Sequence, residues 1–300
     1  MRSSVVYLFP LLAVAIWAGN SLVNKLSADV IAPEAISFYR WAFALLVLTP
    51  VLLPGVWRRR ARIRPFLGKL TVLASLGMVL NQSLAYFAAA TTSATNMALI
   101  TSLVPVISLL LAVPLLGARL SRLALLGAFI SFGGLLFMIS QGNLASLSTS
   151  VVPGDLLLLL AALVYALYGV LLKRWSLPLP TWDMLYIQVL IAVVLLSPLL
   201  LFASSISISQ ASLPLIVYAA IGASILAPWA WMRAVALLGT ERTAIFMNLM
   251  PVFTAILASI LLDEQLGIPH YVGGILVLTG VSLVQFRTRR PRVALKAEAL

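Results

Sequence analysis

Long apolar runs alternate along the chain with short breaks rich in Pro, Gly, Ser or charge. A helix that crosses hydrocarbon needs roughly 20 mostly apolar residues. Runs of that kind stand at about 5–25, 34–54, 67–88, 94–116, 122–140, 154–175, 182–203, 212–235, 243–262 and 268–287. The breaks include Ala32-Pro33, Gly117-Ala118-Arg119, Leu177-Pro178-Leu179-Pro180 and Asp263-Glu264. None has room for an extramembrane domain. Runs such as Asp155-Leu156-Leu157-Leu158-Leu159-Leu160 do not alternate with period two, which argues against a transmembrane barrel. The pattern predicts an all-α membrane protein with ten transmembrane helices. The first run, from about Val5, lacks a small-residue cleavage motif and reads as a retained helix.

The order of landmarks repeats. A shift of about 146 residues carries Pro105 onto Pro251, Gly127 onto Gly273, Gly134 onto Gly280, and Leu116-Gly117-Ala118 onto Leu262-Asp263-Glu264. A two-residue adjustment aligns Trp17 and Lys25 with Tyr165 and Lys173. Five helices per half is an odd number, so the second half enters the membrane from the opposite side. The expected architecture is two inverted five-helix repeats around a central cavity, a layout common among secondary transporters. The halves are placed at 1–145 and 146–288, with a basic cytoplasmic tail at 289–300.

Composition sharpens this picture. Only 9% of the 300 residues are charged, against about 25% in a soluble domain. Mean hydropathy is +1.11. Too few charges remain to coat a water-exposed surface, so lipid must cover much of the molecule. The net charge of +12 sits in clusters between apolar runs. That is a topology signal, not a nucleic-acid face. With the N-terminus inside, all of the Lys and Arg except Lys25, Arg40 and Arg233 fall on the inner side. Both termini are therefore expected in the cytoplasm of a bacterium, with the chain multi-pass in the inner (cell) membrane. The chain has no cysteine and one histidine, His270, so thiolate metal sites, disulfides and His-rich sites are excluded. No cofactor and no metal are expected. The expected partners are a small-molecule substrate and membrane lipid, with no nucleic acid, and a monomer is expected to suffice.

Polar residues inside a bilayer usually face protein or a water-filled cavity. In the first helix Trp17, Asn20, Ser21 and Asn24 follow the i, i+3, i+4, i+7 spacing of one helical face. The shift relates this face to Tyr165, Tyr168, Gly169 and Leu172 in the sixth. Gln82 and Tyr86 lie one turn apart in the third helix, and Ser102 in the fourth pairs by the shift with Asn248 in the ninth. Trp229 lies in the eighth helix beside Pro228, with Trp231 on another side. The candidate substrate-binding set is thus Trp17, Asn20, Ser21, Asn24, Gln82, Tyr86, Ser102, Tyr165, Tyr168, Trp229 and Asn248. Lys25, Arg40, Pro105 and Pro251 are assigned gating or structural roles; proline removes a helical hydrogen bond and permits bending. An aromatic lining with fixed amides and hydroxyls suits an uncharged or zwitterionic solute with an apolar part. It can also attract an organic cation.

All eight acidic residues fall at span ends, in loops or in the tail. The mid-membrane carboxylate of a dedicated proton or sodium relay is missing from this pattern, which favours uniport or exchange. The competing readings are an organic-cation or multidrug exporter, and a membrane enzyme acting on lipid-linked substrates. The second would have to use Asp263, Glu264 and His270, which lack metal-ligand spacing, so no enzymatic activity is expected.

The chain resembles the drug/metabolite transporter superfamily, in its EamA-like branch of ten-helix exporters. The resemblance rests on Trp17-Ala18-Gly19-Asn20 through Lys25, Pro33 and Arg40, Pro105-Val106 with Leu116-Gly117-Ala118, Gly154-Asp155, Trp229 or Trp231, and Pro251-Val252 with Leu262-Asp263-Glu264. Ala118 departs from the Glu of that pattern. Among relatives the chain looks closest to the YddG-like exporters of aromatic amino acids. The resemblance implies alternating access and export of small metabolites.

Overall fold

The computed structural model describes residues 5–118, 121–143, 152–238, 243 and 245–286. Arg2, Arg119, Glu241, Arg242, the boundary expected near 145 and the basic tail from Arg287 onward lie outside the described residues. The described residues are helical with no strand among them. Eight helices are long and apolar enough to cross a membrane: α1 (Val5–Ser27), α2 (Pro33–Arg58), α3 (Arg60–Ala88), α4 (Ala94–Leu116), α5 (Arg122–Ile139), α6 (Pro153–Trp175), α7 (Thr181–Phe202) and α8 (Ser212–Leu238). Two more apolar helices follow, α9 (Phe246–Leu261) and α10 (Ile268–Phe286). The outward faces are bare leucine and valine, as at Leu46 (73% exposed) and Leu201 (84% exposed), which only lipid can cover.

Local chemistry sets the helix ends. Pro33 opens α2 after an extended Ala32, using the first-turn position where a missing N–H costs nothing. The Ser93 hydroxyl accepts from the Asn96 N–H at 3.0 Å and caps α4. The Ser121 hydroxyl caps α5 in the same way, 3.1 Å from the Ala124 N–H. Gly117 ends α4 in the left-handed conformation (φ 65°).

Irregular segments occur in matching places of the two halves of the chain. α3 is π-helical over Ser75–Leu80 and α8 over Tyr218–Leu226. α4 breaks at Ser102–Leu103 just before Pro105, and the five residues Ile245–Leu249 leading into Pro251 are a 3-10 turn. The shift of about 146 residues pairs these segments two by two. Pro105 and Pro251 each deprive a carbonyl one turn back of its N–H partner, so the ladder tightens or breaks where Ser102 and Asn248 sit.

α5 and α10 approach each other more closely than a side chain allows. A Cβ on Gly127 would lie 2.6 Å from the Gly280 carbonyl oxygen, and one on Gly134 would lie 2.8 Å from that of Gly273. The two helices run antiparallel at this contact. Small residues at such positions let backbones pack without a hydrophobic driving force. The Ser131 hydroxyl adds a 3.3 Å bond to the Val277 carbonyl.

Candidate functional site

The stripe on α1 points inward. Leu8, Leu12 and Leu26 are exposed on one side, while Asn20 and Asn24 are buried on the other (9% and 5% exposed). The Trp17 indole N–H donates to the Ala223 carbonyl in α8 at 3.1 Å, and its ring meets Trp231 with centroids 5.6 Å apart. The Asn20 amide donates to Asn24 Oδ1 at 3.3 Å, which leaves Asn20 Oδ1 buried without a partner. Ser21 is half-buried on the same side. One turn further, Lys25 Nζ donates to the Ala89 carbonyl at 2.9 Å.

Arg40 is the centre of a polar network joining three helices. It is 3% exposed. Its Nε donates to Ser224 Oγ in α8 at 2.8 Å, and its Nη1 to Gln82 Oε1 at 2.7 Å and to the Tyr86 hydroxyl at 3.4 Å, both in α3. The guanidinium also lies 5.1 Å from the centroid of the Trp41 ring. Gln82 passes the chain on: its amide donates to Asn81 Oδ1 at 2.9 Å, and the Asn81 amide donates to the Ala161 carbonyl of α6 at 3.0 Å. The Ser224 hydroxyl bonds the Ala219 carbonyl five residues back at 2.8 Å, as the wider π-helical turn permits.

α6 is exposed on two opposite faces. Leu156, Leu160 and Leu163 form the lipid side; Tyr165 (41% exposed) and Gly169 stand about half a turn away, at 100° per residue. A Cβ on Gly169 would meet nothing within 4 Å. This second face therefore borders open space on the side away from those leucines. Tyr165 stacks on Tyr168 with centroids 5.5 Å apart. Tyr168 in turn packs on Gly77 in the π segment of α3, where a Cβ would lie 2.8 Å from its ring.

The structure brings Trp17, Gln82 and Tyr86 together with Arg40 around α8. Other predicted residues have partners of their own. The Ser102 hydroxyl is used by the Leu99 carbonyl at 2.6 Å, and the Asn248 amide by Ser282 Oγ at 3.2 Å. Trp229 lies against Phe9, with centroids 5.8 Å apart, and is 40% exposed. It is Trp231, not Trp229, that stands beside Trp17. Sequence reasoning missed Ser224, a lone hydroxyl in an Ala- and Gly-rich run with no periodic signal, and undervalued Asn81, which sits next to Gln82.

Side-chain grips hold the two ends of the bundle. At one end the α3–α4 loop is seized three times. Thr92 Oγ1 donates to Asp155 Oδ1 at 2.6 Å, the Gly154 N–H donates to Thr91 Oγ1 at 2.8 Å, and Glu264 accepts from the Ala94 N–H at 2.6 Å and the Thr95 hydroxyl at 2.7 Å. Only glycine fits at 154, since a Cβ would lie 2.5 Å from the Ala88 carbonyl oxygen. At the other end Arg59 forks onto Asp183 at 2.5 and 2.8 Å, the one ion pair among the described residues. Hydrogen bonding to Asp183 raises the Arg59 pKa above its ordinary value, so this cation keeps its charge at any physiological pH.

Apolar helices of spanning length and a buried polar layer between them define the class: a multi-pass helical membrane protein of the transporter kind. Residues 4–140 and 152–286 match the EamA-like transporter family, and the chain belongs to it. It is 27% identical over 287 residues to an "Uncharacterized transporter" of Archaeoglobus fulgidus, covering 94% of this chain and 97% of that one. It is 28% identical over 299 residues to "Uncharacterized transporter YyaM" of Bacillus subtilis, covering 96% of each. It is 30% identical to "Uncharacterized protein PA1977" of Pseudomonas aeruginosa over 279 residues, covering 92% and 93%. A solved crystal structure superposes with a TM-score of 0.61 at 18% identity, covering 95% of this chain and 98% of the other, and shares the fold.

Proposed function

We propose that this EamA-like transporter is a secondary exporter of small amphipathic metabolites, amino acids with aromatic or other neutral side chains, working by alternating access as a uniporter or exchanger. The observation that carries this reading is the exposed face of α6 at Tyr165 and Gly169, on the side opposite its lipid-facing leucines. An aromatic wall beside fixed polar groups fits a solute that is part ring and part dipole.

Two further observations support ten spans in two inverted halves. Gly127 touches Gly280 and Gly134 touches Gly273, while the shift pairs Gly127 with Gly273 and Gly134 with Gly280. Each glycine thus touches the mate of the other, as a two-fold axis between α5 and α10 requires. The paired irregularities in α3 and α8, and before Pro105 and Pro251, provide discontinuous helices around the middle of the bundle, the usual site of solute binding in such carriers. On this reading both termini face the cytoplasm of a bacterial inner membrane, a monomer suffices, and no enzymatic activity is involved.

The organic-cation alternative has a specific observation against it. The charged side chain in the polar layer is Arg40, and three described carboxylates are engaged elsewhere: Asp183 serves Arg59, Asp155 serves Thr92 and Glu264 serves α4. A buried positive charge repels a cation entering the same space. Counterflow in proteoliposomes with labelled amino acids and organic cations tests the reading. Amino acids should exchange and quaternary cations should not. Trp17→Ala and Asn20→Ala should lose at least tenfold in flux with folding intact. Unchanged flux in both variants, or cation flux alone, would refute it.

A further inference from the structure

A guanidinium has five N–H donors and does not shed its proton in proteins. Arg40 therefore stays charged although it is 3% exposed. Nε and Nη1 use three of its donors, on Ser224, Gln82 and Tyr86, and all three acceptors are neutral. Nη2 has no acceptor among the described residues. Among the described residues the sealed atoms without partners are Asn20 Oδ1, Ser83 Oγ, Asn96 Oδ1 and Gln188 Oε1. Nη2 is not one of them, so its edge is not fully sealed by protein.

A charge in a low-dielectric site is stable only when it is paired and its donors are used. Among the described residues the protein supplies the donors' positions and no anion. We infer that the missing anion belongs to the solute: Arg40 anchors a substrate carboxylate through Nη2, while Gln82, Tyr86 and Ser224 fix the guanidinium plane. This inference rests on the transporter reading above and narrows its substrate class. A single carboxylate matches the single positive charge. A phosphate ester, with up to two negative charges, does not, because Lys25 is held by the Ala89 carbonyl and Arg233 is exposed on α8. Arg40 then acts as the specificity-determining residue, and the solute's ring lies toward Tyr165 and Tyr168.

The test is uptake of three labelled solutes of nearly one shape into proteoliposomes: phenylalanine, phenylalaninamide and phenethylamine. Wild-type protein should carry phenylalanine at least tenfold faster than either of the others at low concentration. Arg40→Gln, checked for an unaltered elution profile and melting temperature, should lose at least tenfold for phenylalanine and shift its preference toward phenethylamine. Arg40→Lys, which keeps charge without the planar fork, should recover part of the loss. The selectivity of the wild-type protein decides the matter even if Arg40→Gln does not fold. Equal wild-type rates for phenylalanine and its amide would overturn the carboxylate anchor and leave the transporter reading standing. No flux of any of the three would overturn that amino-acid reading and this inference with it.

Discussion

Glu264 closes a connection between distant parts of the chain. Its carboxylate sits where the first N–H groups of α4 lack helical partners, taking the Ala94 N–H and the Thr95 hydroxyl. Charge at a helix N-terminus is favourable as well as hydrogen-bonded. Glu264→Ala should therefore cost about 1–2 kcal/mol in stability, read from unfolding in detergent. A loss below the error of that measurement would mean that the loop is held by Asp155 and Gly154 alone. The pairing was only half legible in sequence. The Leu262-Asp263-Glu264 motif marked the residue, but its target lies 170 positions away on another loop, and no local pattern encodes that distance. The same limit hid Ser224 from Arg40. The α1 stripe, by contrast, was legible, because burial on one side of a helix writes itself into the spacing of Trp17, Asn20, Ser21 and Asn24.

Helix-scale features explain why Trp231 and not Trp229 meets the Trp17 ring. Two residues apart on a helix means about 200° apart, so Trp229 and Trp231 face opposite ways. Choosing between them requires the phase of α8. The π-helical segment Tyr218–Leu226 lies just upstream and alters that phase by widening each turn. A shifted hydrogen-bond ladder leaves no mark in hydropathy, so it was invisible in the sequence, as was its partner in α3. The glycines of α5 and α10 were readable as landmarks of the repeat, though not as partners. Gly134→Leu should force these helices apart and destabilise the protein by about 1–3 kcal/mol or more, as measured by unfolding in detergent. Gly133 has open space around its Cβ position, and Gly133→Leu should be nearly neutral. If the two variants behave alike, the close contact is not what holds α5 to α10.

Across the whole molecule the two ends are gripped and the middle is polar. Arg59 and Asp183 tie α2 to the start of α7 at the end opposite to the α3–α4 loop. A carrier that opens alternately must release such contacts in turn. Asp183→Asn should thus change the balance between the two open states and alter flux without abolishing binding. The charge swap Arg59→Asp with Asp183→Arg should restore flux toward the original rate. Failure of the swap, with both single variants folded, would mean that the pair anchors the loop and takes no part in the cycle. Hydropathy predicted the eight helices of spanning length in their order because lipid imposes its thickness on every span. Hydropathy is silent about which ends touch, since those contacts are single side chains on short loops.

The account depends most on water reaching an inward face of the bundle at membrane depth. The chain contains no cysteine, so a single thiol can be placed anywhere as a probe. Ser21→Cys and Gly169→Cys should react with a membrane-impermeant methanethiosulfonate reagent, and bound phenylalanine should slow both reactions. Leu163→Cys, on the lipid face of the same α6, should not react. Thiols at 21 and 169 as inert as the one at 163 would contradict the account.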